Sequence, residues 1–239
     1  DDQEVRDILP HFPRAVTYGF SDDAHWHAEL LSIKPNQTTF VLYHNGTEYG
    51  EFSLKVPGRL YVSNACAAVV VCDLLGLTAE TIGRHLAQFS GTQRRFQVIC
   101  ETEQGITIVD DYAHHPTEIA ATLKAAREGW NKRVIAVFQP HRYSRTQFLL
   151  EEFTHAFADA DVVVLTDIFA PPPEQPIPGV SSEIMAKRIR ELGKEVYLVP
   201  DQADIGRFLL DIVNSGDLVI TMGAGPIWKS ARDLCQLLA

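Results

Sequence analysis

The sequence predicts an α/β protein in which a first part of mixed pattern precedes a mostly parallel sheet flanked by helices. From Gly105 onward, five short apolar runs alternate with segments of helical length, and strands connected through helices form parallel sheets. Before that point an Asn45-Gly46 pair predicts a tight hairpin instead. A chain of 239 residues can bury one large core or two small ones, and we predict domains at residues 1–100 and 101–239.

The first part is predicted to contain four strands followed by two helices. The Asn-Gly pair separates the last two strands, because a type I′ turn needs positive φ at both central residues. The first helix is apolar nearly all round, which predicts burial, and Thr78 is a suitable N-cap for the second. The predicted strands are 15–20, 27–33, 38–43 and 49–56, and the predicted helices are 62–75 and a helix that begins at Thr78.

The second part is predicted to alternate strictly between strands and helices. Pro116 fits the first turn of its helix, where a missing N–H costs nothing. The predicted strands are 106–109, 134–138, 162–166, 195–199 and 218–221, and the predicted helices are 116–128, 147–158, 182–192, 202–214 and 227–238.

Composition excludes several classes of function. The net charge of −10 argues against a general binder of nucleic acid or anionic membranes, and no apolar stretch is long enough to span a bilayer. The four cysteines lack Cys-x-x-Cys spacing, which predicts reduced, buried thiols in a cytosolic protein. They are Cys66, Cys72, Cys100 and Cys235.

Two polar segments, Asp110–Glu118 and Gln139–Thr146, each follow directly on a predicted strand. Ligands of open α/β sheets bind at the carboxyl ends of the strands, so acids, histidines and arginines are expected on one rim. Such a rim suits an anionic or zwitterionic ligand and a phosphate-bearing partner. In isolation, each segment could also be a polar loop that caps a helix or faces solvent.

These two segments resemble the C-terminal half of the Mur ligases, and specifically the alanine-adding enzymes of peptidoglycan synthesis. The resemblance spans nearly the whole chain in the family's order. Further matching segments are 17–21, 57–59, 91–96, 166–170, 176–180 and 216–225. The resemblance implies that residues 1–100 are the end of a central ATP-binding domain and that residues 101–239 are a Rossmann-like C-terminal domain.

The resemblance also implies a function. Enzymes of this kind use ATP and Mg²⁺ to join L-alanine to UDP-N-acetylmuramate in the cytoplasm, through an acyl phosphate. The alanine amine then displaces phosphate by way of a tetrahedral intermediate, whose developing charge needs cations or dipoles aimed at it.

By the same resemblance, individual residues acquire expected roles. The nucleotide is expected to contact Asn64 through adenine, Asp111 through the ribose and Arg95 through the phosphates, with Tyr112 nearby. The amino acid is expected to contact His114, His141, Arg142 and Arg145, of which His114 and Arg142 are also the catalytic candidates. We predict no metal site at His114 and His115, because no third ligand has helpful spacing.

Departures from the family pattern leave alternatives open. The sequence contains no Gly-x-x-x-x-Gly-Lys-Ser/Thr loop to hold phosphates, so we expect the chain to need an N-terminal segment that is missing here. The tripeptide-adding Mur ligase shares the Ala-His-His-Pro-Thr run and is one alternative. A non-catalytic nucleotide-binding or regulatory module is another, favoured by Tyr61 and Pro226 at positions where the family has other residues. A dehydrogenase is disfavoured, because no Gly-x-Gly-x-x-Gly follows an early strand.

Overall fold

The computed structural model describes residues 1–35 and 37–239, which form two compact units. Unit 1 consists of Asp1–Gly91 with Glu128–Trp130, and unit 2 consists of Thr92–Arg127 with Asn131–Ala239. The division falls before the predicted boundary at residue 100. The reason is that residues 97–101 form a strand that pairs with the second sheet.

Unit 1 is built on a four-stranded sheet in the order β1-β2-β3-β4. β1 runs parallel to β2, and the other neighbours are antiparallel. Its elements are α1 (Gln3–Ile8), a 3₁₀ turn (Leu9–His11), β1 (Tyr18–Gly19), β2 (Trp26–Lys34), β3 (Gln37–His44), β4 (Thr47–Leu54), α2 (Arg59–Leu74) and α3 (Ala79–Leu86).

Local signals in unit 1 are confirmed. Asn45 and Gly46 have φ of 50° and 78°, as a type I′ turn requires. The Thr78 side chain accepts a hydrogen bond from the N–H of Thr81 and so caps α3. The sequence therefore fixes the β3–β4 hairpin and the start of α3 through contacts within a few residues.

The predicted burial of α2 on all sides is wrong. Its buried residues, among them Val62, Cys66 and Val69, pack into the core of unit 1, whereas Leu74 is 69% exposed. Only one face of the helix meets the core, so an apolar residue near its end remains in solvent. An all-apolar helix predicts burial only if something covers every face.

Unit 2 is built on a six-stranded sheet in the order β5-β6-β10-β7-β8-β9. β5 is antiparallel to β6, and the remaining neighbours are parallel, which confirms the predicted fold class. The elements are β5 (Gln97–Glu101), β6 (Thr107–Asp111), α4 (Pro116–Gly129), β7 (Val134–Phe138), α5 (Tyr143–Phe148), α6 (Leu150–His155), β8 (Val162–Leu165), α7 (Ser182–Glu191), β9 (Glu195–Leu198), α8 (Gln202–Ile212), β10 (Leu218–Met222) and α9 (Trp228–Leu237).

Two predictions for unit 2 need correction. The single helix expected at 147–158 is two short helices, because Leu149 has φ of −114° and ψ of 23°, outside helical values. The strand β5 spans the predicted domain boundary at residue 100, where no strand was predicted. Its residues alternate only weakly in burial, as is usual for an edge strand, so no period-2 pattern indicates it.

The prediction of four reduced thiols is also wrong. Cys100 on β5 and Cys235 on α9 form a disulfide, while Cys66 and Cys72 are free. The two bonded cysteines are 135 residues apart in sequence, so their spacing gives no hint of the pairing. Packing of α9 against β5 brings them together.

In the part of the chain that the structure describes, no helix has both the length and the apolar character needed to cross a membrane.

Candidate active site

The candidate site lies at the carboxyl edge of the unit 2 sheet, where β6, β10 and β7 end side by side. Met222 of β10 is in register with Asp111 on one side and Phe138 on the other. The loops that leave β6 and β7 therefore start from the same edge. They meet at two imidazole rings, since the centroids of His114 and His141 are 6.2 Å apart. As the sequence predicts, the two loops converge.

An ion pair between the buried Asp110 and the half-buried Arg94 closes the end of β6. The Nε of Arg94 donates to Oδ2 of Asp110 at 2.9 Å, and Oγ1 of Thr221 donates to Oδ1 at 2.7 Å. Arg94 also donates through Nη2 to the carbonyl oxygen of Gly223 at 2.6 Å. Burial raises the pKa of Asp110, and the bonds from Arg94 and Thr221 oppose that shift. The pair ties together the ends of β6 and β10 and the segment before β5.

Asp111 is also buried, at 2% exposure. Its two carboxylate oxygens accept from the N–H groups of Phe96 and Ala113, each at 2.7 Å. Burial raises the pKa of this carboxyl to about 6, while the two N–H groups lower it. The carboxylate thus ties the residue that follows Tyr112 to the segment before β5. A contact between Asp111 and a ribose stays a prediction.

Tyr112 presents an accessible aromatic ring beside two cations. The residue is 37% exposed, and the guanidinium carbons of Arg94 and Arg95 lie 5.0 and 5.6 Å from the ring centroid. Its N–H donates to the carbonyl of Arg94 at 2.6 Å. An exposed ring can stack on a base, and an adjacent guanidinium can bind phosphate.

His114 is oriented by groups on its own loop. Its Nδ1 lies 2.9 Å from the carbonyl oxygen of Tyr112 and 3.3 Å from Oε2 of Glu118. Both partners are acceptors, so we assign the ring proton to Nδ1, which leaves the lone pair of a neutral ring on Nε2.

Glu118 caps the start of α4. Its Oε2 accepts from the N–H groups of His114 and His115 at 2.9 and 3.2 Å, as in a capping box. Although burial raises the pKa of Glu118, the His114 N–H, together with the charges of His114 and Arg95, holds it below its ordinary value. Helix capping, one of the simpler interpretations of this segment, is therefore confirmed for Glu118.

The loop after β7 places two arginines and a histidine next to this cluster. Arg142 has φ of +74°, a left-handed conformation that is unusual for a residue with a Cβ. Its N–H donates to the carbonyl of Phe169, and its own carbonyl accepts from the N–H and hydroxyl of Thr146. Strained backbone of this kind persists where surrounding bonds hold it, often at functional sites.

Among the described residues, the guanidinium groups of this loop form no ion pair with a carboxylate. Among the described residues, neither Arg142 nor Arg145 has an acidic group within 4.0 Å. Arg145 Nη1 lies 3.5 Å from Nδ1 of His141. Burial, and then the charges of Arg145, His114 and Arg142, lower the pKa of His141. The loop thus offers two free cations beside a ring that favours the neutral form.

Glycines let the turn after β10 approach the β7 loop closely. A Cβ added to Gly223 would lie 2.9 Å from the carbonyl oxygen of Gln139, and one added to Gly225 would overlap the Gln139 side chain. Close packing therefore accounts for the Gly-Ala-Gly run in the sequence.

In residues 1–35 and 37–239, no group of three or more histidine, cysteine, aspartate or glutamate side chains could hold a metal ion.

Residues 94–225 match the family model described as Mur ligase, glutamate ligase domain. The matched range includes both loops, the Arg94–Asp110 pair and the Gly-Ala-Gly turn. The chain belongs to the Mur ligase family.

Curated relatives carry the name UDP-N-acetylmuramate–L-alanine ligase. The Mur ligase of that name from Symbiobacterium thermophilum is 48% identical over 99% of this chain and 49% of its own length. The one from Trichlorobacter lovleyi is 45% identical over 100% and 52%. The chain thus spans about half the length of the curated relatives it matches.

A solved Mur ligase has the same fold. The crystal structure of UDP-N-acetylmuramate-alanine ligase MurC from Thermotoga maritima superposes with a TM-score of 0.80, at 29% identity, over 93% of this chain and 47% of that one. The predicted fold of a C-terminal portion of a Mur ligase is thereby confirmed.

All but one of the residues predicted for the Mur ligase site belong to unit 2. The remaining residue, Asn64, is exposed on α2 of unit 1. Its contact with adenine stays a prediction. The predicted residues at the edge of the unit 2 sheet are Arg95, Asp111, Tyr112, His114, His141, Arg142 and Arg145.

Two residues of this Mur ligase site have no role in the sequence-based prediction. Arg94 lies inside a matching segment, and its contact with Gly223 spans 129 residues, so no local pattern reveals it. Glu174 follows three prolines and bonds Ser144 across 30 residues. An acid next to a proline run was the only available signal.

Proposed function

We propose that this chain is part of an ATP-dependent carbon–nitrogen ligase that adds L-alanine to UDP-N-acetylmuramate. The single observation that supports this most is the pair of cations, Arg142 and Arg145, without carboxylate partners within 4.0 Å among the described residues. The names of relatives up to 48% identical support the choice of amino acid and sugar.

Arg142 and Arg145 suit the carboxylate of a free amino acid. A guanidinium offers a bidentate grip and keeps its charge at all physiological pH values. We propose that these two residues and His141 bind the alanine carboxylate, which leaves the amine free to react.

His114 suits the amine of the same substrate. Its Nε2 carries the lone pair when Nδ1 donates to Tyr112, and its ring is next to that of His141. We propose that Nε2 accepts the proton that the alanine ammonium must lose before its nitrogen attacks. The bond that forms is the amide C–N bond, and the bond that breaks joins the activated acyl carbon to phosphate.

Nucleotide binding is proposed for Tyr112 and Arg95. The exposed ring suits a base or sugar face, and Arg95, which is 3.5 Å from Glu118, could bind a phosphate oxygen. ATP supplies the phosphoryl group that activates the sugar's carboxylate. The described residues offer no cluster suited to Mg²⁺, so no step here is assigned to the metal.

We further propose that the activity needs a segment with a phosphate-binding loop, because the sequence of this chain contains none. Its reaction partners, ATP and a nucleotide sugar, favour a cytoplasmic location.

The test joins this chain to the N-terminal half of the Symbiobacterium thermophilum relative and assays the joined protein. When ATP, UDP-N-acetylmuramate and L-alanine are supplied, we expect mass spectrometry to show a product heavier than the nucleotide sugar by one alanine residue. When the tripeptide replaces L-alanine, we expect no product. This chain alone and the N-terminal half alone are the controls, and each should give no product.

Other outcomes would change the proposal. Product with the tripeptide but not with alanine would favour the tripeptide-adding alternative. A folded joined protein that binds ATP but forms no product with either would favour a non-catalytic nucleotide-binding module.

A further inference from the structure

The loop that follows β8 is bonded to the arginine loop along its backbone. The N–H of Phe169 donates to the carbonyl of Pro140, and the N–H of Arg142 donates to the carbonyl of Phe169, both at 2.9 Å. The two bonds frame the isolated bridge between His141 and Phe169. The segment with the two cations is therefore held from the β8 side as well as from β7.

A side chain adds a third connection farther along the same loop. Oε1 of Glu174 accepts from the N–H of Ser144 at 3.0 Å and from its hydroxyl at 2.5 Å. Ser144 lies in the first turn of α5, two residues after the strained Arg142 and directly before Arg145. First-turn N–H groups have no partner inside a helix, so the carboxylate supplies an acceptor that the helix lacks.

Glu174 also interacts with the charge of Arg142 without forming an ion pair with it. The hydroxyl and N–H of Ser144 hold the pKa of Glu174 below its ordinary value, with a smaller contribution from the charge of Arg142. The charge of Glu174 in turn partly opposes the lowering of the His141 pKa. No arginine among the described residues lies within 4.0 Å of this carboxylate, so both guanidinium groups remain free for a ligand.

The second oxygen, Oε2, is buried and has no hydrogen-bond partner among the described residues. An acid in that position is costly unless its other oxygen is well bonded. The two bonds from Ser144 meet that condition and keep Glu174 in one place.

We propose that Glu174 is a positioning residue for the amino-acid substrate. By fixing Ser144, it holds the first turn of α5 so that Arg142 and Arg145 present their guanidinium groups to one carboxylate. This inference rests on the proposed function, and it adds the loop after β8 to the machinery that selects the amino acid.

The kinetic test uses the joined protein. Glu174→Ala should raise KM for L-alanine about tenfold, the expected size for losing a bond to a charged group, and change KM for ATP less than about twofold. Glu174→Gln keeps an acceptor for Ser144 and should recover most of the loss. Gln175→Ala, an exposed neighbour in the same loop, is the matched control and should behave as the parent protein.

A rise of both KM values together in Glu174→Ala, with a lowered Tm, would indicate a purely structural role and overturn the proposal. An unchanged KM for L-alanine would overturn it as well.

Hydrogen exchange on this chain separates the inference from the proposed function. In the parent chain the amide of Ser144 should be protected, and Glu174→Ala should speed its exchange about tenfold or more while Gln175→Ala does not. If the joined protein makes no alanine product, the proposed function fails, but this experiment still tests the bond. A Ser144 amide unprotected in the parent chain would overturn the positioning role by itself.

Discussion

The two units place their polar residues by different rules. In unit 2, parallel strands end at a common edge, so residues as far apart in sequence as Arg94 and Gly223 touch there. In unit 1, β2, β3 and β4 alternate in direction, so consecutive loops fall at opposite ends of the sheet. All predicted site residues but one belong to unit 2. The carboxyl ends of parallel strands lie at the same edge of the sheet. Polar residues from distant parts of the sequence can therefore meet there.

The two units also differ in how many of their large apolar side chains are exposed to solvent. Unit 1 is the smaller, yet it contains most of the large hydrophobic side chains that are exposed. In unit 2 every residue of β6, β7, β8 and β10 is buried, as expected for a sheet covered on both faces. The exposed set in unit 1 is Val5, Ile8, Phe12, Val16, Tyr18, Leu31, Leu60, Val71, Leu74, Leu75, Leu77 and Phe89.

The largest expected effects come from the two cores. Phe40 in unit 1 and Phe138 in unit 2 are both 0% exposed, and truncation of either to alanine should cost about 3–5 kcal/mol of unfolding free energy. Native-state hydrogen exchange should show each loss mainly in the unit that contains the substitution. Equal loss in both units from either variant would contradict the description of two separately packed units.

Arg142→Ala tests whether function is concentrated in unit 2. In the joined protein it should lower kcat/KM for L-alanine about 100-fold or more, since the carboxylate loses a bidentate partner. Affinity for ATP should change less than about twofold in a binding titration. Arg188→Ala, which removes an exposed arginine paired with Glu151, is the control. Equal loss of turnover and nucleotide affinity, without unfolding, would contradict the proposed role.

Reduction of the disulfide should affect unit 2 alone. Breaking the Cys100–Cys235 bond removes a constraint across 135 residues and should lower the unfolding free energy of that unit by about 2–4 kcal/mol. Urea unfolding with and without dithiothreitol, followed by hydrogen exchange, measures the change. Cys72→Ala in unit 1 should leave the response to reductant intact. No response in the parent chain would mean that the two cysteines are not paired.

The smallest effect concerns the cap of α4 and its dependence on pH. The pKa of Glu118 is lowered in the folded protein, so its charge stabilises the fold above the ordinary pKa of a glutamate. That contribution disappears as pH falls through the folded pKa. Glu118→Gln keeps the cap oxygen and should cost about 0.5–1 kcal/mol near pH 7, and progressively less as pH falls below the ordinary pKa of a glutamate. Urea titrations at several pH values measure the difference in unfolding free energy between the parent chain and Glu118→Gln. A difference that does not change with pH would refute the charge effect.

Much of the secondary structure follows from the sequence. The strand Val134–Phe138 is predicted to the residue, and the Asn45-Gly46 turn and the Thr78 cap are confirmed. These features depend on residues within one or two turns of each other, so composition and spacing encode them. The loops that follow β6 and β7 are predictable for the same reason, because each begins where an apolar run stops.

Only the tertiary structure decides the contacts that complete the site. Asp110 and Asp111 look alike in sequence, yet one pairs with Arg94 and the other caps backbone N–H groups. The insertion of β10 between β6 and β7 brings Gly223 to Arg94, and the loop after β8 brings Glu174 to Ser144. Hydrophobic periodicity specifies which face of a strand is buried. It does not specify which strand lies beside it, so contacts that depend on strand order appear only when the sheet is assembled.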